Sequence, residues 1–181
     1  MTAPTAASIE ADLARRLRRA RRIAVLGIGD ELRREDRLGM LAAREVEALR
    51  LPDVRVFLAG VVPESFTGPI RRVRPDHVLL LDAAEFGARP GTARVLHPAE
   101  VGGSRFSTHA IPLPVVIAYL EETAQADVTL IGIQPDLRAT AAGLTPAEEA
   151  GLLHLVASLQ RVLAGRPAVR VGTYGKDRRS K

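Results

Sequence analysis

Apolar and polar positions alternate along the chain in two rhythms. The run Ile23 to Ile28 reads as a first strand, and the helical spacing of Leu38, Leu41, Ala42 and Val46 predicts a helix over 38–49. Val54 to Ala59 alternates at first and is then apolar, as a second strand would. Glu64 to Val73 is loosely periodic, a helix interrupted by Gly68-Pro69 and ended at Arg74-Pro75-Asp76. His77 to Leu81 and Val128 to Ile133 are near-continuous apolar runs, the pattern of strands buried on both faces. Between them lie a turn over 87–91, an edge strand over 92–96, a loop over 102–110, and a helix from Leu113 to Glu122 with Pro112 and Pro114 in its first turn. After a loop over 136–144, Thr145, Pro146 at N1 and Glu148 at N3 spell a capping box. That helix runs to about Leu163 and is stopped by Gly165.

Ahead of the first strand, residues 8–21 predict a helix with Ser8 as N-cap. Its thin stripe of Leu13, Ala14, Leu17 and Ala20 suits loose packing at the sheet edge. The order β-α-β-α-β-(β)-α-β-α implies an α/β protein. The expected form is a three-layer α/β/α sandwich with a mainly parallel twisted sheet and one antiparallel edge strand. The expected organisation is an N-terminal basic helix over 1–21, one domain over 22–165 and a basic, disordered tail over 166–181.

Composition narrows the chemistry. Apolar residues are 46% of the 181 and aromatics 3%, so the core is aliphatic. There is no cysteine, which excludes disulfides, thiolate metal sites and Cys nucleophiles and fits a cytoplasmic protein. No apolar run approaches the roughly 20 residues of a membrane helix. The N-terminus does not read as a signal peptide, because its arginines follow the apolar residues. The net charge of +5 is concentrated at the two ends, while residues 23–164 sum to −4. Basic residues are not interleaved with aromatics, so no nucleic-acid partner is expected.

The candidate chemistry sits after the first strand. Gly27 and Gly29 lead into a loop of Asp30, Glu31, Arg33, Arg34, Glu35, Asp36 and Arg37. The carboxyl end of a strand in an open α/β sheet is where ligands bind. A dinucleotide fingerprint fails, because its third glycine is Leu32 and the second strand ends Leu58-Ala59-Gly60 without an acid for the ribose. Asp36 in this loop and Asp82 closing the third strand belong to one edge of a parallel sheet, and His109 before a helix joins them there if the intervening edge strand runs antiparallel. Two carboxylates and an imidazole suit a borderline divalent metal. Ser65, Ser104, Ser107 and Ser158 lie in no G-x-S-x-G context. His97 and His154 read as structural or exposed, and His77 as a satisfied structural histidine.

The chain resembles the hydrogenase maturation endopeptidases, closest to the branch serving hydrogenase 3 of the formate hydrogenlyase type. The family pattern G-x-G-N-x-L-x-x-D-D-G-x-G lies over Gly27 to Gly39. Further segments fall at Pro63 to Ile70, Leu79 to Ala83, Thr108 to Leu113 and Gly132 to Pro135. The resemblance implies a twisted sheet between helices. It implies a nickel-dependent, aspartate-type or metal-assisted endopeptidase that removes the C-terminal peptide of a [NiFe] hydrogenase large-subunit precursor. Nickel, presented by the substrate, would be bound by Asp36, Asp82 and His109, the catalytic and metal-binding set. Asp30 stands for the usual asparagine, and Arg34 and Arg37 stand where glycine is usual. Arginine is costly wherever φ must be positive, so the loop is open to another path with Glu35 rather than Asp36 as ligand. Asp30, Glu35 or Glu64 could act as general base, with Glu64 alternatively capping the helix that follows. A non-catalytic maturation chaperone for the nickel-loaded subunit is the competing reading.

Overall fold

The apolar runs assemble into one sheet. The computed structural model describes residues 6–101, 111–140 and 142–166. β1 (Ile23–Ile28), β2 (Val54–Gly60), β3 (His77–Ala83), β4 (Ala93–Leu96) and β5 (Asp127–Ile133) lie in the order β2-β1-β3-β5-β4. β1 pairs in parallel with β2 and β3, β3 pairs in parallel with β5, and β4 pairs antiparallel at the edge. The helices are α1 (Ala6–Leu17), α2 (Leu38–Ala48), α3 (Thr67–Val73), α4 (Pro98–Val101), α5 (Leu113–Ala124) and α6 (Pro146–Ala164). The expected α/β class and the single antiparallel edge strand are both present.

Strand side chains alternate between faces, so each face has its own core. Val25, Leu79 and Ile131 pack with α1, α2 and α6, whereas Leu26, Leu80 and Leu130 pack with α3 and α5. Three layers result because β1, β3 and β5 bury both faces.

The N-terminal helix departs from its sequence pattern. It ends at Leu17 rather than 21, and Ser8 lies inside it rather than at its cap. The Asp76 carboxylate accepts hydrogen bonds from the backbone N–H groups of Arg21 and Arg22, at 2.9 and 2.7 Å, and the Ile23 amide bonds to the Asp53 carbonyl. These long-range partners align the chain for β1 and end the helical ladder early. Nor is the packing loose. Leu13 and Leu17 are fully buried in the core with α6, each contributing roughly 1.5–3 kcal/mol.

Two further boundaries shift. The segment expected as one helix from Glu64 splits into a 3-10 turn, Pro63–Phe66, and α3. The Glu64 side chain caps neither, because both N-termini lack a side-chain cap. The short helix α4 lies where no element was expected. Among the described residues no helix is long and apolar enough to cross a membrane. Residues 102–110 and 167–181, which include the expected loop and nearly all of the basic tail, lie outside the described residues. Arg166 is described, and its guanidinium bonds to the Ala20, Arg21 and Leu163 carbonyls.

Candidate active site

β1 feeds a helix that returns to β2 on one side, while β3 lies on its other side. This is the switch point of the sheet, and the crevice outside the carboxyl ends of β1 and β3 is its binding position. Asp36 and Asp82 both come to it.

Asp36 is 4% exposed. It ends two successive turns, in which the Arg33 amide bonds to the Asp30 carbonyl and the Asp36 amide to the Arg33 carbonyl. Its Oδ2 accepts from the Asp30 amide at 2.9 Å, folding the loop back on itself. The loop fits because residue 29 is glycine. Gly29 has φ +122°, and a Cβ there would collide with the Asp36 carbonyl. Glu35 points elsewhere. Its Oε1 accepts from Arg33 Nη2 at 2.8 Å, and its own backbone amide together with Arg33 lowers its pKa. Between the two candidates for the loop ligand, Asp36 faces the strand end and Glu35 faces an arginine.

Asp82 is 7% exposed at the end of β3, paired in register with Gly132 of β5. Beyond it the chain is held by Gln134, which is 5% exposed. Gln134 Oε1 accepts from the backbone N–H groups of Phe86 and Ala88, at 2.9 and 3.3 Å. That role for Gln134 carries no local sequence signal, because its partners lie 46 and 48 positions away.

The two arginines at usual glycine positions do not distort the loop. Arg37 sits at φ −83°, ψ −11°, and Arg34 is not among the positive-φ residues. The expected penalty for arginine is absent because neither position requires a left-handed backbone. Both side chains reach the segment after β5. Arg34 bonds to Glu148 and to the Asp136 carbonyl, and Arg37 to the Ala142 carbonyl.

Glu64 lies just beyond the end of β2, at the same sheet edge. Its Oε2 is buried and has no hydrogen-bond partner among the described residues. A buried carboxylate oxygen without a partner among the described side chains is uncommon, which makes Glu64 a candidate site residue. Asp30, by contrast, accepts from the Leu32 amide.

His109, the third expected ligand, lies outside the described residues, as do Ser104 and Ser107. Among the described residues no three His, Asp or Glu side chains form a metal-binding group. What the described part contributes is two buried aspartates at the ends of neighbouring strands, residues of the type that ligate divalent cations. His97 and His154 are exposed. His77 is buried, bonds through Nε2 to Thr129 Oγ1 at 2.8 Å, and has its pKa lowered by burial to about 4, so it is a neutral structural residue.

A mostly parallel open sheet with two buried aspartates at its switch point defines an α/β protein with a candidate site at the carboxyl ends of its strands. Comparison with known proteins makes the class specific. The hydrogenase maturation protease model matches residues 40–160, and the chain belongs to that family. It is 32% identical over 154 residues to the hydrogenase 2 maturation protease of Escherichia coli K12, covering 79% of this chain and 89% of that protein. It is also 32% identical over 114 residues to the hydrogenase 3 maturation protease of the same strain, covering 62% and 72%. The crystal structure of the [NiFe] hydrogenase maturation protease HycI from Thermococcus kodakarensis KOD1 matches with TM-score 0.72 and 31% identity, over 84% of this chain and 98% of that one. The chain is thus a hydrolase of hydrogenase maturation.

Proposed function

We propose that this protein is the endopeptidase that removes the C-terminal peptide of a [NiFe] hydrogenase large-subunit precursor after nickel insertion, and that it recognises the nickel the precursor carries. The observation that supports this most is the convergence of two buried aspartates, Asp36 and Asp82, on the switch point of the sheet. Nickel here is part of the substrate. Asp36, Asp82 and His109 would offer it two oxygens and a nitrogen and leave positions for the precursor's own ligands.

Held by Asp36, Asp82 and His109, the nickel of the precursor would supply Lewis-acid chemistry, polarising a carbonyl and lowering the pKa of a water. A carboxylate then takes the proton as the water attacks the carbonyl carbon, and the amide nitrogen leaves protonated. Glu64 is the best base among Asp30, Glu35 and Glu64, because its buried oxygen is not engaged by another described residue. The lack of cysteine and of a nucleophile-elbow serine fits a mechanism insensitive to thiol and serine reagents. The absence of cysteine also fits a cytoplasmic site of action.

The test is cleavage of a nickel-loaded precursor by the wild type beside Asp82→Ala and His109→Ala. Nickel-dependent release of the C-terminal peptide, lost in both folded variants, supports the peptidase and its site together. A folded wild type that binds the loaded precursor without cutting it would instead make this a maturation chaperone.

A further inference from the structure

Arg34 belongs to the loop that carries Asp36, yet its guanidinium ends 114 positions along the chain. Nη2 donates to Glu148 Oε2 at 2.6 Å and Nη1 to the Asp136 carbonyl at 2.7 Å. Glu148 is wholly buried and the Arg34 side chain is 14% exposed. The capping box accounts for only part of the bonding at Glu148. Oε2 accepts from the Thr145 amide at 2.8 Å and from its hydroxyl at 3.0 Å, and Oε1 accepts from the Asp136 amide at 2.9 Å. A capping-box glutamate on a helix surface needs no cation. A wholly buried one is costly unless a cation meets it, and the acidic loop supplies that cation.

The placing of this pair in the sheet gives it a purpose. β3 lies between β1 and β5. The loop after β1 and the segment after β5 therefore meet above the end of β3, where Asp82 sits. Arg34 joins them there, and Arg37 adds a second tie at the Ala142 carbonyl, 2.7 Å away. Within the loop, Arg34 lies in the second of the two turns, the one that closes at Asp36. Glu31 and Glu35 are paired close by, with Arg44 and Arg33, so it is Arg34 and Arg37 that tie this short stretch across to the segment after β5.

We propose that Arg34 and Glu148 are a positioning pair that clamps the acidic loop across the end of β3 and fixes the direction of the Asp36 carboxylate. The consequence for cleavage rests on the function proposed above, whereas the consequence for the loop does not.

The experiment compares Arg34→Gln, Arg34→Lys, Glu148→Gln and the Arg34→Gln/Glu148→Gln double variant with the wild type. Glutamine at 148 still serves as the N3 residue of a capping box. Amide hydrogen exchange is read on the free protein and steady-state cleavage on the nickel-loaded precursor. Exchange at Asp30 and Asp36 is expected to quicken on the order of tenfold or more in Arg34→Gln and Glu148→Gln, while β2 and β3 keep their protection. The double variant is expected to be no worse than either single one, and Arg34→Lys to recover part of the protection. kcat is expected to fall between roughly tenfold and a hundredfold with KM near the wild-type value. Wild-type exchange at both amides in folded Arg34→Gln and Glu148→Gln overturns the clamp. If Arg34→Gln does not fold, Glu148→Gln and Arg34→Lys carry the same comparison. A wild type that cleaves no precursor removes the peptidase reading, and the exchange result then decides the clamp by itself.

Discussion

Gly39, in the first turn of α2, lies so close to Asp82 that a Cβ on it would sit 2.7 Å from the Asp82 Cα. The same Cβ would meet the Ile28 carbonyl at 2.5 Å and collide with the Leu81 carbonyl. All three are backbone atoms of β1 and β3, so none can rotate away. The missing side chain lets α2 seat against the strand ends that carry the site, and so ties the acidic loop before α2 to the aspartate that closes β3. Gly39→Ala is expected to push α2 outward and to destabilise the fold by about 1–3 kcal/mol or more, the usual cost of overpacking. Denaturant unfolding checks the stability. Cleavage should fall further than the lost stability explains, because Asp36 moves with α2.

His77 makes stability depend on pH. Its pKa is about 4 in the folded protein against 6.5 as an ordinary imidazole, because burial disfavours the charged ring. Between those values the unfolded chain binds more protons than the native one, so stability falls as pH drops from 6.5 towards 4. The contribution at stake is of order 3 kcal/mol. Urea midpoints across that range should show the decline. A variant with a neutral side chain, His77→Gln, should be less stable at pH 7 yet lose less between pH 6.5 and 4. Equal slopes in the two proteins would contradict this account.

The two acids at the end of the first loop should separate cleanly. Asp36→Asn removes the charge that faces the strand end and is expected to reduce cleavage to background. Glu35→Gln removes a charge already paired with Arg33 on a part-exposed side chain, so stability should change by no more than about 1 kcal/mol. Its cleavage rate should stay near that of the wild type. A precursor assay on both variants tests the assignment, and the reverse ranking would move the ligand to Glu35.

Glu64→Gln addresses the base. Loss of a general base lowers the rate typically about 10²- to 10⁴-fold, so kcat should drop into that range while substrate binding persists. Thermal unfolding should show no loss of stability, since the buried oxygen has no described partner to lose. A rate within a factor of two of wild type would return the role to Asp30 or Glu35.

Leu32 is 96% exposed, in the same loop as Asp36. A leucine in water contributes nothing to the core, so Leu32→Ser should alter stability by no more than about 0.5 kcal/mol. If the precursor covers this edge during cleavage, the substitution should act through KM and leave kcat nearly intact. A fall in kcat alone would place Leu32 among the groups that shape the loop.

Much of this molecule could be read from local pattern. The buried runs His77 to Leu81 and Val128 to Ile133 became β3 and β5 because continuous aliphatic sequence has no other low-cost place than a sheet covered on both faces. The capping box at Thr145 formed as spelled, since its bonds join neighbours three residues apart. Asp36 and Asp82 could be placed at one edge because parallel strands share a direction.

What distance in sequence hides, only the folded chain decided. The end of α1 was set by Asp76, more than 50 positions away, whose carboxylate takes two amides the helix would have used. Arg34 and Arg37 read locally as misfits at glycine positions. Their backbones proved ordinary, and their side chains found partners more than 100 residues on. Glu148 likewise spells its own cap but gives no sign of the arginine it meets. The sequence by itself determined the strands, the longer helices, their order and the placing of two aspartates at one sheet edge, because periodicity and strand direction are local properties. Which loops touch, and which charge neutralises which, was decided by packing, because buried charges find partners by proximity in space rather than along the chain.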